Sequence, residues 1–502
     1  MKTRTHQRFT RIHIACSALV SLLLTAPSHA VRVSTTGTGQ VLLFPYFNAQ
    51  RDNVSLISLV NTTAQGKAVR VNLRESRGGF VVAQLNVYLS AKDVWTAAVV
   101  AIGAEVRLLS NDKTCTAPNL AAGLAVSTQL SRPANPFDYS GAGAYASSEG
   151  YVEVIEMATI PNATASGVSI THVNGIAPCN RNITDIAYEP PAADLKAPTG
   201  GLTGTLSLIN VAQGMLVSTA PTALENFWLT GSDAAAPRVW PANSVGPGLD
   251  SGGDKDAYLH GSSYTYRPGA ATYTARFRDS LDAVSAVLMS SSIYTEHAFT
   301  NNNTITTTMV VTMPTKPYYT RPTVTTPFQS VWNDSTKQSC DDLSVVSYDR
   351  EEVTFSGYGG DFLAPPRPRN QLCYTANVLP IAQGFGSISP DATFLNSQFP
   401  FSVTGFQNGG VPVLTPGREG GWIELAFTAP TATYGTPQFS TVRMTNGKPE
   451  ILTTAGTLFG LPVIGFTLSQ SAYRQGSPQQ NYADAIPLRT QNTISTPTPT
   501  VP

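Results

Sequence analysis

Three aspartates in a glycine-rich stretch are the residues best suited to metal chemistry. They are Asp250, Asp254 and Asp256 in the sequence DSGGDKD. Carboxylate oxygens on flexible loops are the ligands that Ca²⁺ prefers, so the stretch is a candidate calcium site. It lacks the D-x-[DN]-x-[DN]-G spacing and the distal Glu of an EF-hand. A solvated, aspartate-rich turn is the competing interpretation, and no other cofactor is expected.

The sequence offers few residues for acid–base catalysis. Beyond residue 30 the histidines are His172, His260 and His297. A Ser-His-Asp site assembled from distant segments is conceivable, because such triads are defined by geometry and not by sequence order. However, the chain contains no G-x-S-x-G, H-E-x-x-H or phosphate-binding glycine motif. We therefore expect no catalysis and name no catalytic residue, with a secreted glycan or ester hydrolase as the alternative.

Glycoside hydrolysis would need two carboxyl groups at a fixed separation, which a sequence cannot show. None of the acidic candidates stands in a distinctive motif; they are Glu149, Glu153, Glu225 and Glu424. Glu153 and Glu156 differ by an odd number, so an unbroken strand would point them to opposite sides. The sequence thus offers no obvious catalytic pair.

Four cysteines lie beyond residue 30, and an even number in an exported chain predicts disulfides. They are Cys115, Cys179, Cys340 and Cys373. Four cysteines permit three pairings, and sequence proximity favours Cys115–Cys179 and Cys340–Cys373. A structural metal site would need closely spaced ligands such as C-x2-C, and the sequence has none.

Residues 1–30 have the three parts of a secretory signal peptide. A basic segment with Lys2 and Arg4 precedes an apolar stretch from Ile12 to Leu24, and small residues end the segment at Ala30. We predict cleavage after Ala30 and a location outside the cell, at the cell surface or in the periplasm. The apolar stretch is too short to span a membrane comfortably.

The composition narrows the class of partner. Charged residues make up 13% of the 502 residues, with 32 basic and 32 acidic side chains, whereas soluble domains have roughly 25% charged residues. A nearly neutral chain lacks the basic face that a nucleic-acid-binding protein needs. No segment beyond residue 30 has 18 consecutive apolar residues, so no transmembrane helix is expected.

Exposed aromatic side chains could instead bind sugars by stacking. The tryptophans that we consider for this role are Trp228, Trp240, Trp332 and Trp422. Because they are scattered along the chain, core packing is the default interpretation for each of them. A surface glycan or a protein is accordingly the expected partner.

Strand patterns dominate beyond the signal peptide. Apolar and polar residues alternate strictly from Val69 to Arg74, the period of a sheet with one solvated face, and a longer, less regular alternation extends from Ile305 to Met313. The outer faces are expected to carry hydroxyl groups more than charges. Helical patterns are few; Ser90-Ala-Lys-Asp93 could be a capping box that opens a short helix.

The predicted fold class is mostly β, with one to three β-sandwich-like domains of the immunoglobulin or jelly-roll kind. Long Gly/Pro-rich loops and few short helices complete the expectation. After the signal peptide, residues 31–200 are predicted to form an N-terminal β-rich domain. Residues 201–490 form a C-terminal β-rich region with possible subdomains at 201–330 and 331–490, and residues 491–502 form a disordered Thr/Pro tail.

Four segments together resemble an uncharacterised family of secreted bacterial proteins of the cell-surface type. The segments contain LLFPYFN (42–48), LSAKDVW (89–95), EGYVEVIEM (149–157) and VVTMPTK (310–316). The resemblance implies export and a β-rich fold, and it brings no activity, cofactor or catalytic residue. We predict a secreted or cell-surface structural or binding protein, with a hydrolase and an outer-membrane β-barrel as the alternatives.

Overall fold

The structure is a computed structural model that is mostly β, with several antiparallel sheets and, within its described residues, three short α-helices. The described residues are 30–126, 147–229, 236–253, 255–262, 270–277, 279–298, 305–320, 327–352, 354–355, 370–383, 395, 411–413, 420–427, 438–445, 448–473 and 480–495. Residues 1–29 of the predicted signal peptide lie outside them. No helix among the described residues is long and apolar enough to cross a membrane.

The N-terminal part of the chain consists of thirteen described strands and one short helix. The strands are β1 (Arg32–Val33), β2 (Val41–Asn48), β3 (Asn53–Asn61), β4 (Gly66–Glu75), β5 (Val81–Leu89), β6 (Val94–Ile102), β7 (Glu105–Leu109), β8 (Cys115–Ala117), β9 (Leu124–Val126), β10 (Glu149–Ile160), β11 (Leu202–Asn210), β12 (Met215–Thr219) and β13 (Thr222–Glu225); the helix is α1 (Ala165–Ile170).

These strands form a sandwich of two antiparallel sheets. The seven-stranded sheet has the order β1-β13-β2-β10-β4-β5-β8, and the six-stranded sheet has the order β12-β11-β3-β6-β7-β9. Inward side chains of both sheets, such as Leu73, Trp95 and Leu206, belong to one buried apolar cluster. Trp95 is fully buried and packs within this cluster.

The rest of the chain contributes further strands and two helices. The elements are β14 (Asp256–Ser262), β15 (Ala270–Arg276), α2 (Ser280–Leu288), β16 (Met289–Ser290), β17 (Ser292–Ala298), β18 (Ile305–Thr312), α3 (Lys316–Tyr319), β19 (Asp341–Asp349), β20 (Thr354–Phe355), β21 (Asn370–Leu372), β22 (Ala376–Gln383), β23 (Val411–Val413), β24 (Gly420–Ala426), β25 (Gln438–Thr445), β26 (Lys448–Phe459), β27 (Leu461–Pro462), β28 (Ile464–Tyr473), β29 (Gln480–Pro487), β30 (Arg489–Gln491) and β31 (Thr493–Ser495).

A second sandwich is built from a six-stranded sheet and a five-stranded sheet. One has the order β20-β19-β24-β17-β30, with β21 paired to β19. The other has the order β23-β22-β18-β28-β29. Met309 on β18, Leu379 on β22 and Ile423 on β24 lie in the apolar cluster between these sheets. A smaller set of strands pairs in the order β14-β15-β25-β26-β31, and β14 meets β31 through one residue pair, Ser262 and Thr493.

The two sandwiches share a core. Val310, Val378 and Phe466 lie on the C-terminal sheet but belong to the same buried cluster as the N-terminal strands. The Thr312 hydroxyl donates to the Pro45 carbonyl at 2.6 Å, which joins the two sandwiches directly. The sequence also placed residues 202–225 in the C-terminal region, whereas β11, β12 and β13 complete the N-terminal sandwich because β11 pairs with β3 along its whole length.

The faces of β4 and β18 that were predicted to be solvent-exposed are buried, which corrects the expectation from their alternating patterns. All ten residues of β4 are buried, including Arg70 and Arg74. In β18, Thr306 and Thr308 are also buried. The reason is packing on both faces, because covering segments supply hydrogen-bond acceptors to the polar residues of β4 and a second core lies behind β18.

The predicted capping box at residues 90–93 does not open a helix. It forms the turn between β5 and β6, in which Asp93 Oδ2 accepts from the Ser90 backbone N–H at 2.9 Å. Lys92 has a φ of 60°, a left-handed conformation that reverses the chain here. The chain is also still in strands where the sequence predicts the tail to begin, since β31 extends to Ser495; residues 496–502 lie outside the described residues.

Candidate functional site

The four predicted cysteines form the two bridges that sequence proximity favours. Cys115 and Cys179 are joined, and so are Cys340 and Cys373. The first bridge ties β8 to the segment after α1. The second lies next to paired backbone, because Asp341 and Leu372 are opposite each other in β19 and β21. The first bridge thus fastens the segment after α1 to a sheet, and the second joins the residue before β19 to the residue after β21.

The calcium candidates occupy different local environments. Asp256, at the start of β14, forms an ion pair with Arg276 in which both carboxylate oxygens are 2.7 Å from guanidinium nitrogens. Asp250 lies in a short 3-10 turn, where its carboxylate accepts from the Ser251 hydroxyl at 3.4 Å. Asp254 lies outside the described residues. Among the residues described, no group of three acidic, His or Cys side chains could hold a metal ion, and the calcium site stays a prediction.

One serine, histidine and aspartate do meet, and their geometry bears on the hydrolase alternative. His172 Nδ1 is 3.3 Å from Ser90 Oγ and 3.6 Å from Asp93 Oδ2. A catalytic triad places the serine and the aspartate on opposite ring nitrogens. Here both contact the same nitrogen, and a ring flip would not separate them. The cluster therefore provides no proton relay and instead ties the Ser90–Asp93 turn to His172, two residues after the end of α1.

Of the other two histidines, only His297 has a described side chain. His297 on β17 is buried, and burial lowers its pKa from 6.5 to about 4. A neutral, inward-facing imidazole is what a core position favours. His260 lies on β14, and its side chain lies outside the described part of the chain.

Three of the four acidic candidates are held in local contacts. The Tyr46 hydroxyl donates to Glu149. Arg74 Nε lies 2.7 Å from Glu153 Oε2, and Arg32 Nη2 lies 2.5 Å from Glu225 Oε2. Glu156 binds a different cation from Glu153, namely Lys67. These carboxylates connect strands and do not converge on one cleft.

The Glu153 contact is part of a buried polar layer on the outer face of the seven-stranded sheet. Arg70 donates to the carbonyl oxygen of Pro241 at 2.7 Å, and Asn86 donates to that of Trp240 at 2.8 Å. Burial raises the pKa of Glu153, and the adjacent Arg74 charge opposes that rise. The layer fastens the segment around residues 240–249 onto the sheet and is structural.

Two of the tryptophans stack on each other above this layer. The rings of Trp228 and Trp240 are 5.7 Å apart at an angle of 22°. Trp228 Nε1 donates to the Glu156 carbonyl at 2.6 Å, and the Arg238 guanidinium lies 5.5 Å from the Trp240 ring centre. Both indoles are half-buried. With one face used by the partner ring and the other covered by packing or by Arg238, this pair has little surface left for a ligand.

The fourth tryptophan lies in an exposed aromatic pair. Trp422 on β24 and Tyr348 on β19 are directly opposite each other, and their rings are 4.2 Å apart at an angle of 11°. Trp422 is 38% exposed. Both side chains point away from the core, because their neighbours Ile423 and Ser347 are buried and successive residues of a strand alternate. The Trp332 side chain, by contrast, donates a hydrogen bond from Nε1 to the Asp334 carboxylate, and its ring packs edge-on against that of Phe80.

Charged and polar side chains surround the exposed pair on the same face. On the far side of Trp422, Glu296 of β17 is its register neighbour. Glu424 is opposite Tyr294 in the next row. Arg489 of β30 reaches back to Glu296, with an Nη1–Oε1 distance of 3.0 Å between two well-exposed side chains. We call these outward residues of β17, β19, β24 and β30 the aromatic face.

The aromatic face combines the groups that a sugar ring requires. One face of the indole is covered by Tyr348, and its other face is directed toward Glu296 by the strand register. An aromatic ring offers flat apolar area at low entropic cost. The exposed Arg489–Glu296 ion pair contributes only about 0–1 kcal/mol, so its polar groups can exchange partners with ligand hydroxyls.

Sequence reasoning named Trp422 and Glu424 separately but missed Tyr348, Tyr294 and Glu296. A signal for part of the face was present, because the spacing of two in Trp422-Ile423-Glu424 places both outer residues on one side of a strand. The pairing with β17 and β19 depends on long-range register, which no local pattern specifies.

In comparison with known proteins, no family model, curated protein or solved structure matches this chain.

Proposed function

We propose that this protein is a non-catalytic, exported binding protein that attaches to glycans through its aromatic face. The main observation in support of this proposal is the exposed stack of Trp422 on Tyr348, which is flanked by Glu296 and Arg489. The C–H groups on one side of a pyranose ring pack against an indole face. Its hydroxyls then donate to carboxylates and accept from a guanidinium.

The rest of the molecule supports a scaffold role for the face. Ile293, Ile423 and Leu425 lie directly behind it and are fully buried, so the strands that carry the face are anchored in the C-terminal core. Two disulfides are typical of proteins that fold in an oxidising compartment, which agrees with the predicted signal peptide. A preformed sheet needs little reorganisation to bind, and this lowers the entropic cost of association.

Affinity electrophoresis tests the proposal. The full mature chain is run in native gels that contain one soluble polysaccharide each, beside gels without polysaccharide. We expect retardation by at least one polysaccharide and loss of that retardation in Trp422→Ala. Leu56→Ala is the matched control, because Leu56 is 39% exposed on a sheet face of the other sandwich.

Each result of the electrophoresis either supports or contradicts the proposal. A Trp422→Ala variant that is retarded as strongly as the wild-type chain would contradict the proposal, and so would retardation lost equally in Leu56→Ala. If no polysaccharide in a panel that covers neutral and acidic glycans retards the wild-type chain, glycan binding by this face is excluded for those sugars and the proposal fails for them.

A further inference from the structure

A lysine and an aspartate are buried together next to the Cys340–Cys373 bridge. Lys316 is the first residue of α3, and Asp341 is the first residue of β19. Their side chains are 2% and 0% exposed, and Lys316 Nζ lies 2.7 Å from Asp341 Oδ2. The ring centre of Phe328 is 5.7 Å from the same nitrogen. An amine and a carboxyl group are thus held in contact in surroundings that are largely apolar.

Few hydrogen bonds support the charges of this pair. Besides Asp341, Lys316 Nζ donates only to the Leu372 carbonyl, at 3.2 Å, in the described structure. Asp341 Oδ1 accepts from the backbone N–H of Gln329 at 2.7 Å. Burial lowers the pKa of Lys316 and raises that of Asp341, since each charged form loses its water. Burial therefore favours a neutral amine beside a protonated carboxyl group.

A second buried ion pair, between Lys67 and Glu156, makes more hydrogen bonds than the pair of Lys316 and Asp341. Lys67 Nζ lies 2.6 Å from Glu156 Oε1 and also donates to the hydroxyls of Thr159 and Thr199. Glu156 accepts further bonds from the Thr159 hydroxyl and from the backbone N–H groups of Thr199 and Gly200. Each of the three ammonium protons has an acceptor, and four donors stabilise the carboxylate. This arrangement supports an ion pair.

We propose that Lys316 and Asp341 condense to form an intramolecular isopeptide bond. Lys316 Nζ attacks Asp341 Cγ, the N–Cγ bond forms and the Cγ–Oδ2 bond breaks. The departing hydroxyl takes one amine proton and leaves as water, so atoms and electrons balance without an oxidant or an external reactant. Two groups held in contact react at an effective concentration far above that of free partners.

The surroundings of the pair fit the product as well as the reactants. Oδ1 becomes the amide oxygen and keeps its hydrogen bond from Gln329, whose N–H also stabilises the charge that develops there during attack. The remaining N–H keeps its acceptor, the Leu372 carbonyl. The amide is uncharged in every protonation state of its surroundings, so the product excludes the ionised form of the pair, which is costly to keep buried. The same reaction at Lys67 would remove Oε1 of Glu156, the acceptor of Thr159 and Thr199.

Mass spectrometry of the full mature chain tests the proposal. The protein is denatured, reduced and alkylated, so that both disulfides are open, and its intact mass is compared with the mass from its sequence and measured N-terminus. We expect a deficit of one water molecule. Trypsin cleaves after Lys337, so the bond appears as a branched peptide that joins residues upstream of this site to residues 338–350.

The chain contains its own control. Peptides with Lys67 and with Glu156 are expected as separate, unmodified species, and Lys316→Met is expected to restore the full mass. A wild-type chain without the branched peptide, or with its water loss located elsewhere, overturns the proposal. The result depends on the wild-type protein, so it stands even if the Lys316→Met variant fails to fold.

Discussion

The exposed faces of the two sandwiches are built on similar antiparallel sheets and differ in their outward side chains. On the N-terminal side, β3, β6, β11 and β12 contain no charged residue. Their outward residues include Leu56, Val94 and Leu216, mixed with Ser and Thr; we call this surface the aliphatic face. The aromatic face instead carries a stacked Trp–Tyr pair and an ion pair.

Under the proposed function, this difference separates the side of a strand that determines stability from the side that would contact a ligand. Inward residues of both sheets, such as Ile57 and Ile423, are buried aliphatic side chains of the same kind. Of these two faces, the aromatic face is the one with flat rings beside charged groups that donate and accept hydrogen bonds. The aliphatic face carries small and branched side chains and hydroxyls, and its four strands contribute no aromatic ring and no charge on that side. Binding is therefore expected on one face and not on the other.

The largest expected effect is on stability and should be the same on both sides. Ile423→Ala and Ile57→Ala each remove a buried side chain from a core, which we expect to lower the free energy of unfolding by about 2–5 kcal/mol. Urea unfolding measures both. A loss below about 1 kcal/mol for either variant would mean that its sheet is not anchored as described.

The second effect concerns pH and a buried histidine in the sheet of the aromatic face. His297 lies on the inner side of β17, and burial lowers its pKa from 6.5 to about 4. Between these pH values the unfolded chain binds a proton that the folded chain does not, so stability falls as pH falls through this window. The maximum loss from this histidine is about 3 kcal/mol.

Unfolding in urea at pH 7 and at pH 4.5 measures this loss. In His297→Gln the difference between the two pH values should shrink, because the titrating group is absent. An unchanged difference in the variant would show that other groups cause the acid sensitivity.

The third effect separates the exposed ring from the core behind it. Trp422→Ala removes the stack on Tyr348, and such pairs contribute about 0.5–1.5 kcal/mol beyond area burial. We therefore expect the lost stack by itself to contribute about 1 kcal/mol, less than the whole loss in Ile423→Ala next to it. A double-mutant cycle with Tyr348→Ala measures the coupling. A coupling energy of zero would contradict the stacked arrangement.

The smallest effect belongs to the exposed ion pair. Glu296→Gln removes one charge from the contact with Arg489, and exposed pairs contribute about 0.2–1 kcal/mol. We expect a change at the lower end of this range that disappears at high salt, because screening weakens exposed pairs. A change above about 2 kcal/mol would show that the pair is structural and not available to a ligand.

Local sequence patterns predicted much of the scaffold. Alternation identified β4 and β18, and cysteine proximity gave both bridges. The patterns could not show whether the polar side of a strand meets water. Arg70 and Thr306 alternate with apolar residues as exposed side chains do, yet both are buried. What covers them comes from distant parts of the chain.

The aromatic face depended on the same kind of long-range information. Tyr348 and Trp422 are 74 positions apart in the sequence and become neighbours only through the register of β19 and β24. The buried pair of Lys316 and Asp341 likewise joins a helix to a strand across a loop. The sequence shows the types of these residues, but only the fold shows that they are in contact.

Titration calorimetry with a polysaccharide that retards the chain tests the central claim most directly. The mature wild-type protein is compared with Trp422→Ala and Leu56→Ala. We predict that Trp422→Ala weakens binding by at least about tenfold, which corresponds to about 1.4 kcal/mol, and that Leu56→Ala binds like the wild type. Wild-type affinity in Trp422→Ala, or an equal loss in both variants, would contradict the assignment of binding to the aromatic face.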